Sequence, residues 1–126
     1  MTTGKNYIGN LLSAKGDITF KTFNPILNTE NDSIFHEVSN DELEEAVNLA
    51  SSAFKEFRKT TGKQKAVFLN AIADEILALD DRLIETYCSE TGLPAGRAKG
   101  ERGRTIGQLR NFANLVSEGS WVEATI

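Results

Sequence analysis

Residues 39–57, SNDELEEAVNLASSAFKEF, decide the fold class of this chain. Ser39 and Glu42 have the spacing of a capping box, in which each side chain bonds the free backbone N–H of the other residue. The apolar residues that follow recur at helical spacing, at Leu43, Ala46, Val47, Ala50, Phe54 and Phe57. The stretch therefore predicts an amphipathic helix with a defined start.

Two further helices are predicted downstream. Thr61 and Gln64 form a second capping box. One apolar helical face follows it, at Phe68, Leu69, Ile72, Ala73 and Ile76. Asp80 or Asp81 is expected to cap a third helix. The apolar face of that helix comprises Leu83, Ile84, Tyr87 and Cys88.

A fourth helix is predicted between Pro94 and Gly119. Gly92 is a natural helix stop, and Pro94 suits the first turn of the next helix. The apolar face comprises Ile106, Leu109, Phe112, Ala113 and Val116. A second side, here called the glycine stripe, carries Gly96, Gly100, Gly103 and Gly107. Because each glycine costs about 1 kcal/mol relative to alanine inside a helix, we expect another backbone to pack closely along the stripe.

The amino-terminal residues have β character. Residues 6–10 and 18–23 are rich in β-branched and aromatic side chains, and the turn signal KGD lies between them at 15–17. The two segments are therefore predicted to pair as a β-hairpin. Asn-Pro at 24–25 is expected to end the second strand, and residues 34–38 are expected to form a weaker third strand.

These elements predict an α-rich α+β fold. Residues 1–38 would form a β-hairpin and extended segment, and residues 39–119 a segment of three or four helices. Residues 120–126, SWVEATI, alternate as a strand does. Since a folded protein seldom leaves an apolar strand edge unpaired, we expect further sequence to complete this strand, so that the chain is a fragment.

Composition excludes several classes of protein. Of the 126 residues 40% are hydrophobic and 25% charged, as in folded domains. The sequence has no run of 18 apolar residues, so no membrane span is predicted. Cys88 has no partner for an internal disulfide, and residues 1–6 lack the pattern of a secretory signal. We therefore expect a cytoplasmic protein.

Few residues offer catalytic or metal-binding chemistry. Cys88 and His36 are the only residues of their types; a buried cysteine is usually inert, although a pairing of the two stays open. They are too few for a zinc site, and the acidic run at 41–45 lacks the spacing of a calcium loop. Residues 100–105, GERGRT, lack the Gly-Lys-Ser/Thr ending of a phosphate loop. No catalytic, cofactor-binding or metal-binding residue is predicted.

Basic charge is concentrated in residues 97–110. This segment has a net charge of +4. Because the whole chain has a net charge of −4, the remaining residues must carry −8. The five basic residues are Arg97, Lys99, Arg102, Arg104 and Arg110. They could contact phosphates, but the isoelectric point is about 5.0 and Phe112 is the only aromatic residue near the cluster. A solvated or anion-facing helix flank is favoured, and nucleic acid is not expected as a partner.

Short motifs occur in a characteristic order. They are NYIGN at 6–10, NP at 24–25, ASSAF at 50–54, LNAIAD at 69–74, ETGLP at 90–94 and RNFA at 110–113. Together they resemble the amino-terminal region of the aldehyde dehydrogenase family, although Leu93 stands where lysine is commoner. Leu93, residues 104–105, 108–110 and 119–121 resemble a subgroup of 2,5-dioxovalerate (α-ketoglutarate semialdehyde) and NADP-dependent fatty-aldehyde dehydrogenases.

The resemblance implies that the parent protein is an oligomeric enzyme that oxidises a small-molecule aldehyde to a carboxylic acid with NAD or NADP. The family's nucleophilic cysteine follows a Gly-Gln-x pattern, which Cys88 does not match. The family's Glu-Leu-Gly-Gly motif, which supplies the general base, and its glycine-rich cofactor turn are also missing. We therefore expect this chain alone to be inactive and to bind no cofactor.

The resemblance also implies a supporting role for the helices of residues 39–118, which would pack on a cofactor-binding domain. Arg104, Gly107 and Gln108 would line the substrate entrance. If the substrate carries a carboxylate, Arg104 would bind its far end through a charge-assisted pair; the other interpretation is that Arg104 is a solvated surface charge. An alternative for the whole chain is a stand-alone helical module that self-associates through the glycine stripe.

Overall fold

A computed structural model describes residues 3–122 of the chain. Its elements are β1 (Asn6–Ile8), β2 (Leu11–Ser13), β3 (Thr19–Asn24), β4 (Thr29–His36), α1 (Asn40–Phe57), α2 (Gly62–Ala78), α3 (Asp80–Thr91) and α4 (Ala95–Glu118). The predicted α-rich α+β class is confirmed. The described residues fall into two compact units that divide between Lys59 and Thr60.

The strands form two separate antiparallel hairpins. β1 pairs with β2, with Tyr7 opposite Leu12, and β3 pairs with β4, with Phe20 opposite Phe35. The predicted single hairpin between residues 6–10 and 18–23 is therefore wrong. Gly9 adopts a positive φ of 59°, a conformation that glycine reaches without steric cost. The chain consequently turns back directly after β1.

The segment KGD at 15–17 is a connection between the hairpins rather than a hairpin turn. A Cβ atom at Gly16 would overlap the carbonyl group of Glu37. Glycine is therefore needed here for a close approach of two backbones, not for a turn.

The turn after β3 follows the predicted break at Asn24-Pro25. The Asn24 side chain accepts hydrogen bonds from the backbone N–H groups of Ile26 and Leu27, at 3.0 and 3.1 Å. This geometry, an Asx turn, reverses the chain into β4. The predicted third strand over 34–38 is present only as the end of β4, which begins earlier and ends at His36.

The carboxylate of Glu42 is buried at the start of α1, with its side chain 0% exposed. Its two oxygens accept hydrogen bonds from the backbone N–H groups of Ser39, at 2.9 Å, and Lys15, at 3.0 Å. The hydroxyl of Ser13 lowers the pKa of Glu42 most, followed by these two N–H groups, and burial acts in the opposite sense; the resulting pKa is about 2. We call these four residues the Glu42 latch, because they tie the β2–β3 connection to the helix start.

Most helix ends agree with those predicted from the sequence. Both predicted capping boxes form, and Gly92 and Gly119 end α3 and α4 in the left-handed conformation, at φ 72° and 88°. The predicted Asp80 or Asp81 cap on α3 is wrong. Leu79 occupies that position in the α-helical region, with no side-chain cap. A side-chain cap requires an extended residue, and α2 runs into α3 without one.

The start of α4 and the end of the chain differ slightly from expectation. Pro94 precedes the first turn of α4, in an extended conformation, instead of lying within it. Of the predicted strand over 120–126, the structure describes residues 120–122, which form a turn in which the N–H of Val122 donates to the carbonyl of Gly119 at 3.1 Å. Residues 123–126 lie outside the described part.

Small residues form the core of the second unit. α2 packs along α4, and α3 also contacts α4. The buried residues of these helices are Ala66, Ala73, Ile84, Ala98, Ile106 and Ala113. At the start of α2, a Cβ on Gly62 would overlap the carbonyl oxygen of Val116. The start of α2 and the end of α4 therefore approach to backbone contact.

Several apolar side chains of α1 and α2 remain exposed instead of being buried as in an ordinary amphipathic helix. They are Leu43, Val47, Phe54, Phe57, Val67 and Phe68. The helical periodicity of both segments is confirmed, yet these apolar side chains are about half exposed or more in the described part of the chain.

We predict that Glu42→Gln destabilises the chain in a pH-dependent manner. The folded pKa of about 2 lies below the ordinary value of 4.5, so the ionised carboxylate stabilises the fold above pH 4.5 and this contribution is lost as pH falls towards 2. The difference in the free energy of unfolding between the two proteins should therefore shrink between neutral pH and about pH 3, as measured by urea titration followed by circular dichroism.

Gln64→Glu is the matched control, because it makes the reverse exchange in the exposed capping box of α2. It should change the free energy of unfolding by less than about 0.5 kcal/mol near neutral pH. A cost of Glu42→Gln that is the same at both pH values would contradict the role of the buried charge.

Ala73→Leu should destabilise the second unit by about 1–3 kcal/mol, because it forces a larger side chain into a closely packed helix contact. Ala73 is 0% exposed, whereas Ala71 is exposed on the same helix. Ala71→Leu should therefore shift the urea midpoint little. Equal shifts for the two variants would show that α2 and α4 are not closely packed in solution.

Candidate functional site

The candidate site lies on one flank of α4, which is held in place by its buried side. Ala98, Ile106 and Ala113 are buried, and they recur at helical intervals along one side of α4. The other sides of this 24-residue helix are left free for polar side chains and for the glycine stripe.

A cleft of about 300 Å³ opens on this flank. It is lined by Arg104, Thr105, Gln108, Leu109 and Phe112. Two of the three predicted substrate-entrance residues, Arg104 and Gln108, are thus brought to the same cleft. The third, Gly107, is half-buried and is not among the lining residues. The cleft combines one cation, two polar side chains and two apolar ones.

Glu101 links two arginines beside this cleft. Its Oε1 lies 2.6 Å from Nη2 of Arg97. Its Oε2 accepts from Nη2 and Nε of Arg104, at 2.6 and 3.1 Å. The hydrogen bond from Arg104 is the largest cause of the lowered pKa of Glu101, and the charges of both arginines add to it. Glu101 is therefore ionised at neutral pH.

Glu101 was missed by sequence reasoning, which counted it only as one negative charge in a basic segment. The signal was present in its spacing. Arg97 lies four residues before Glu101 and Arg104 three residues after it, and both spacings place side chains next to each other on a helix.

Two other basic residues of the segment are used for structure. Arg102 donates from Nη1 to the backbone carbonyl of Asp80 at 3.1 Å, and Arg110 pairs with Asp74 of α2 at 3.1 Å. Together with Arg97 and Arg104, four of the five basic side chains contact oxygen acceptors of the same chain. Glu101 and Asp74 offset part of this positive charge, whereas the Asp80 carbonyl offsets none, so the flank keeps a net positive charge.

The glycine stripe is open. A Cβ built on Gly96, Gly100, Gly103 or Gly107 meets no atom within 4 Å among the described residues. The expected close backbone neighbour is therefore not supplied by residues 3–122. Any such neighbour would have to come from outside them.

The residues described here do not fit a dinucleotide. Phosphates are bound by free backbone N–H groups at a glycine-rich turn between a strand and a helix. The glycines of GERGRT lie inside α4, where the N–H groups are used by the helix itself. Both sheets of residues 3–122 are two-stranded and antiparallel, whereas the dinucleotide fold uses a parallel sheet.

Residues 3–122 hold few groups that could form a site of another kind. No group of three or more His, Cys, Asp or Glu side chains is placed to hold a metal ion. Cys88 is half-buried in α3, and Nδ1 of His36 is buried without a hydrogen-bond partner in the same residues. Within residues 3–122, no helix combines the length and apolar character needed to cross a membrane.

Comparison with known proteins identifies the family. The family model described as aldehyde dehydrogenase family matches residues 12–124. The chain belongs to the aldehyde dehydrogenase family. The resemblance seen in the sequence motifs is thereby confirmed.

Two curated aldehyde dehydrogenases match almost the entire chain. Alpha-ketoglutaric semialdehyde dehydrogenase 2 of Azospirillum brasilense is 43% identical over 125 residues, which is 98% of this chain and 24% of the relative. Alpha-ketoglutaric semialdehyde dehydrogenase of Acinetobacter baylyi is 37% identical over 98% of this chain and 23% of its own length. The chain thus spans about a quarter of the length of these relatives.

Solved structures of aldehyde dehydrogenases share the fold. A succinate-semialdehyde dehydrogenase from Burkholderia pseudomallei is 28% identical, with a TM-score of 0.78 over 87% of this chain and 23% of that protein. An NAD-dependent benzaldehyde dehydrogenase from Corynebacterium glutamicum has a TM-score of 0.83 over 93% of this chain and 26% of its own, at 16% identity. At that identity the second likeness supports the fold alone.

Proposed function

We propose that this chain is the amino-terminal part of an NAD(P)-dependent aldehyde dehydrogenase that oxidises an aldehyde carrying a carboxylate, such as α-ketoglutaric semialdehyde, to the acid. The observation that carries the proposal is 43% identity, across 98% of this chain, to a relative named for that aldehyde. Arg104 would recognise the carboxylate end, and Gln108 and Gly107 would border the substrate entrance.

The chemistry of the cleft supports this substrate class. Arg104 is the charged residue among its five lining side chains, and Leu109 and Phe112 supply apolar surface. α-Ketoglutaric semialdehyde carries one carboxylate at one end of a short carbon chain, with the reactive aldehyde at the other. A guanidinium binds a carboxylate through two parallel hydrogen bonds, while the carbon chain can lie against apolar side chains.

The reaction itself needs groups that the described residues do not offer. Aldehyde oxidation of this kind uses a nucleophile that attacks the carbonyl carbon and a bound NAD(P) that accepts the hydride. The described residues lack a dinucleotide site, and Cys88 does not match the family's nucleophile motif. We infer that the helices instead pack on a cofactor-binding domain, and that the assembled enzyme is a homo-oligomer. Exposed apolar side chains such as Val47 and Val67 support such a covering partner.

The test compares the complete reading frame with the 126-residue chain. The complete protein should reduce NAD or NADP with α-ketoglutaric semialdehyde, and the chain alone should not, as followed by absorbance of the reduced cofactor. The complete protein should also turn over pentanal, an uncharged aldehyde of the same carbon number, with a higher KM. Cofactor reduction by the pure 126-residue chain would overturn the assignment.

Arg104→Met in the complete protein tests the carboxylate contact. Loss of the charge-assisted hydrogen bonds from the guanidinium, at least about 1.5 kcal/mol, should raise KM for α-ketoglutaric semialdehyde at least about tenfold. KM for pentanal should stay unchanged, because pentanal has no carboxylate to lose. If KM for both aldehydes is unaltered, Arg104 is a solvated surface charge.

The alternative proposal is a stand-alone module that self-associates through the glycine stripe. The observation in its favour is that the stripe is open along α4, although each glycine there destabilises the helix. On this alternative, Gly103→Leu dissociates the oligomer of the 126-residue chain in sedimentation velocity. Gln108→Leu, exposed on the same helix but off the stripe, should not. A monomeric unsubstituted chain would exclude this alternative.

A further inference from the structure

The arrangement of Arg97, Glu101 and Arg104, here called the α4 triad, extends the proposed function. The Glu101 side chain is 23% exposed, whereas those of Arg97 and Arg104 are 63% and 75% exposed. The carboxylate thus lies closer to the helix surface, with the two longer side chains folded onto it. Both of its oxygens are occupied, one by each arginine.

The bonds to Glu101 fix the orientation of the Arg104 guanidinium. Nε and Nη2 form one edge of this planar group, and both donate to the same carboxylate oxygen. A guanidinium has five N–H donors in a rigid fork, so the adjacent edge, formed by Nη1 and the remaining hydrogen of Nη2, can bind a second carboxylate. A long arginine side chain otherwise loses considerable rotamer freedom when it binds a ligand. Glu101 imposes part of that ordering beforehand.

Arg97 offsets the unfavourable effect of the negative charge of Glu101 on an incoming carboxylate. A lone Glu101 would repel an incoming carboxylate and would cancel the charge of Arg104. Because Arg97 neutralises Glu101, the triad of two arginines and one glutamate keeps a net charge of +1. That charge matches an aldehyde with one carboxylate and offers nothing to a neutral aldehyde.

We propose that Glu101 is a positioning residue, which holds the Arg104 guanidinium at the cleft so that it accepts the carboxylate of the substrate. The proposal rests on the proposed function, in which Arg104 makes that contact. It assigns to Glu101 a part in selecting mono-anionic aldehydes over neutral ones. It assigns to Arg97 the neutralisation that makes a carboxylate tolerable beside the substrate.

The test uses Glu101→Gln in the complete protein, because two mechanisms predict opposite signs. If Glu101 positions Arg104, the variant should raise KM for α-ketoglutaric semialdehyde about threefold, within the range of one exposed ion pair, with kcat and the KM for pentanal unchanged. If Glu101 only competes for Arg104, removing its charge should lower that KM. An unchanged or lowered KM for the semialdehyde overturns the proposal.

Two further variants separate this inference from the proposed function. In the Arg104→Met background, Glu101→Gln should add no further increase in KM, and an added threefold increase would show that Glu101 acts by another route and overturn the proposal. If Arg104→Met raises KM but Glu101→Gln does not, the carboxylate contact stands and the positioning role fails. If Arg104→Met alone has no effect, the contact and the positioning role fail together.

Arg110→Gln is the matched control. Arg110 is also an arginine of α4 in an ion pair, with Asp74 at 3.1 Å, but it does not line the cleft. Its substitution should leave KM for both aldehydes unchanged. A selective rise in the semialdehyde KM for Arg110→Gln as large as that for Glu101→Gln would show a general charge effect of the helix, and would count against the positioning role.

Discussion

Small side chains allow α2 and α4 to approach closely, and this packing decides which sides of α4 remain free. Ala73, Ala98 and Ala113 are almost completely buried, and Gly62 meets the backbone at Val116. With one side of α4 held against α2, the α4 triad, the cleft and the glycine stripe lie on the remaining surface. The position of Arg104 is thus a consequence of a core in which no side chain larger than isoleucine is buried within the described second unit.

Local signals in the sequence predicted the helices well. A capping box is complete within four residues, so Ser39 and Glu42 specify their helix start whatever the rest of the chain does. Gly92 and Gly119 end their helices for an equally local reason, since both need a left-handed conformation. The Asp80 cap failed because it depends on the course of the chain out of the preceding helix.

Strand pairing was predicted poorly because it depends on several competing turns. Gly9 and Gly16 lie seven residues apart, and each lies in a stretch whose composition is typical of a turn. Only the structure shows that Gly9 adopts a positive φ, whereas Gly16 gives room to the Glu37 carbonyl. The second function of Glu42, which binds Lys15 across 27 positions of sequence, is likewise invisible to any local pattern.

Part of the candidate site was likewise predicted from the sequence, and part was not. The family resemblance pointed to Arg104 and Gln108, and the structure brings both to one cleft, but sequence reasoning missed that Glu101 bonds Arg104. The helical spacing alone could have predicted that bond, since both residues are on one face. The neighbour of the glycine stripe could not be predicted, because no residue between 3 and 122 supplies it.

The burial of Glu42 gives its latch a different response to ionic strength from that of the α4 triad. Mobile ions screen exposed charges over about 10 Å at 0.1 M salt but penetrate little into buried groups. The arginines of the triad are largely exposed, whereas Glu42 is enclosed. Concentrated salt would therefore loosen the guanidinium groups of α4 while leaving the start of α1 tied to its loop.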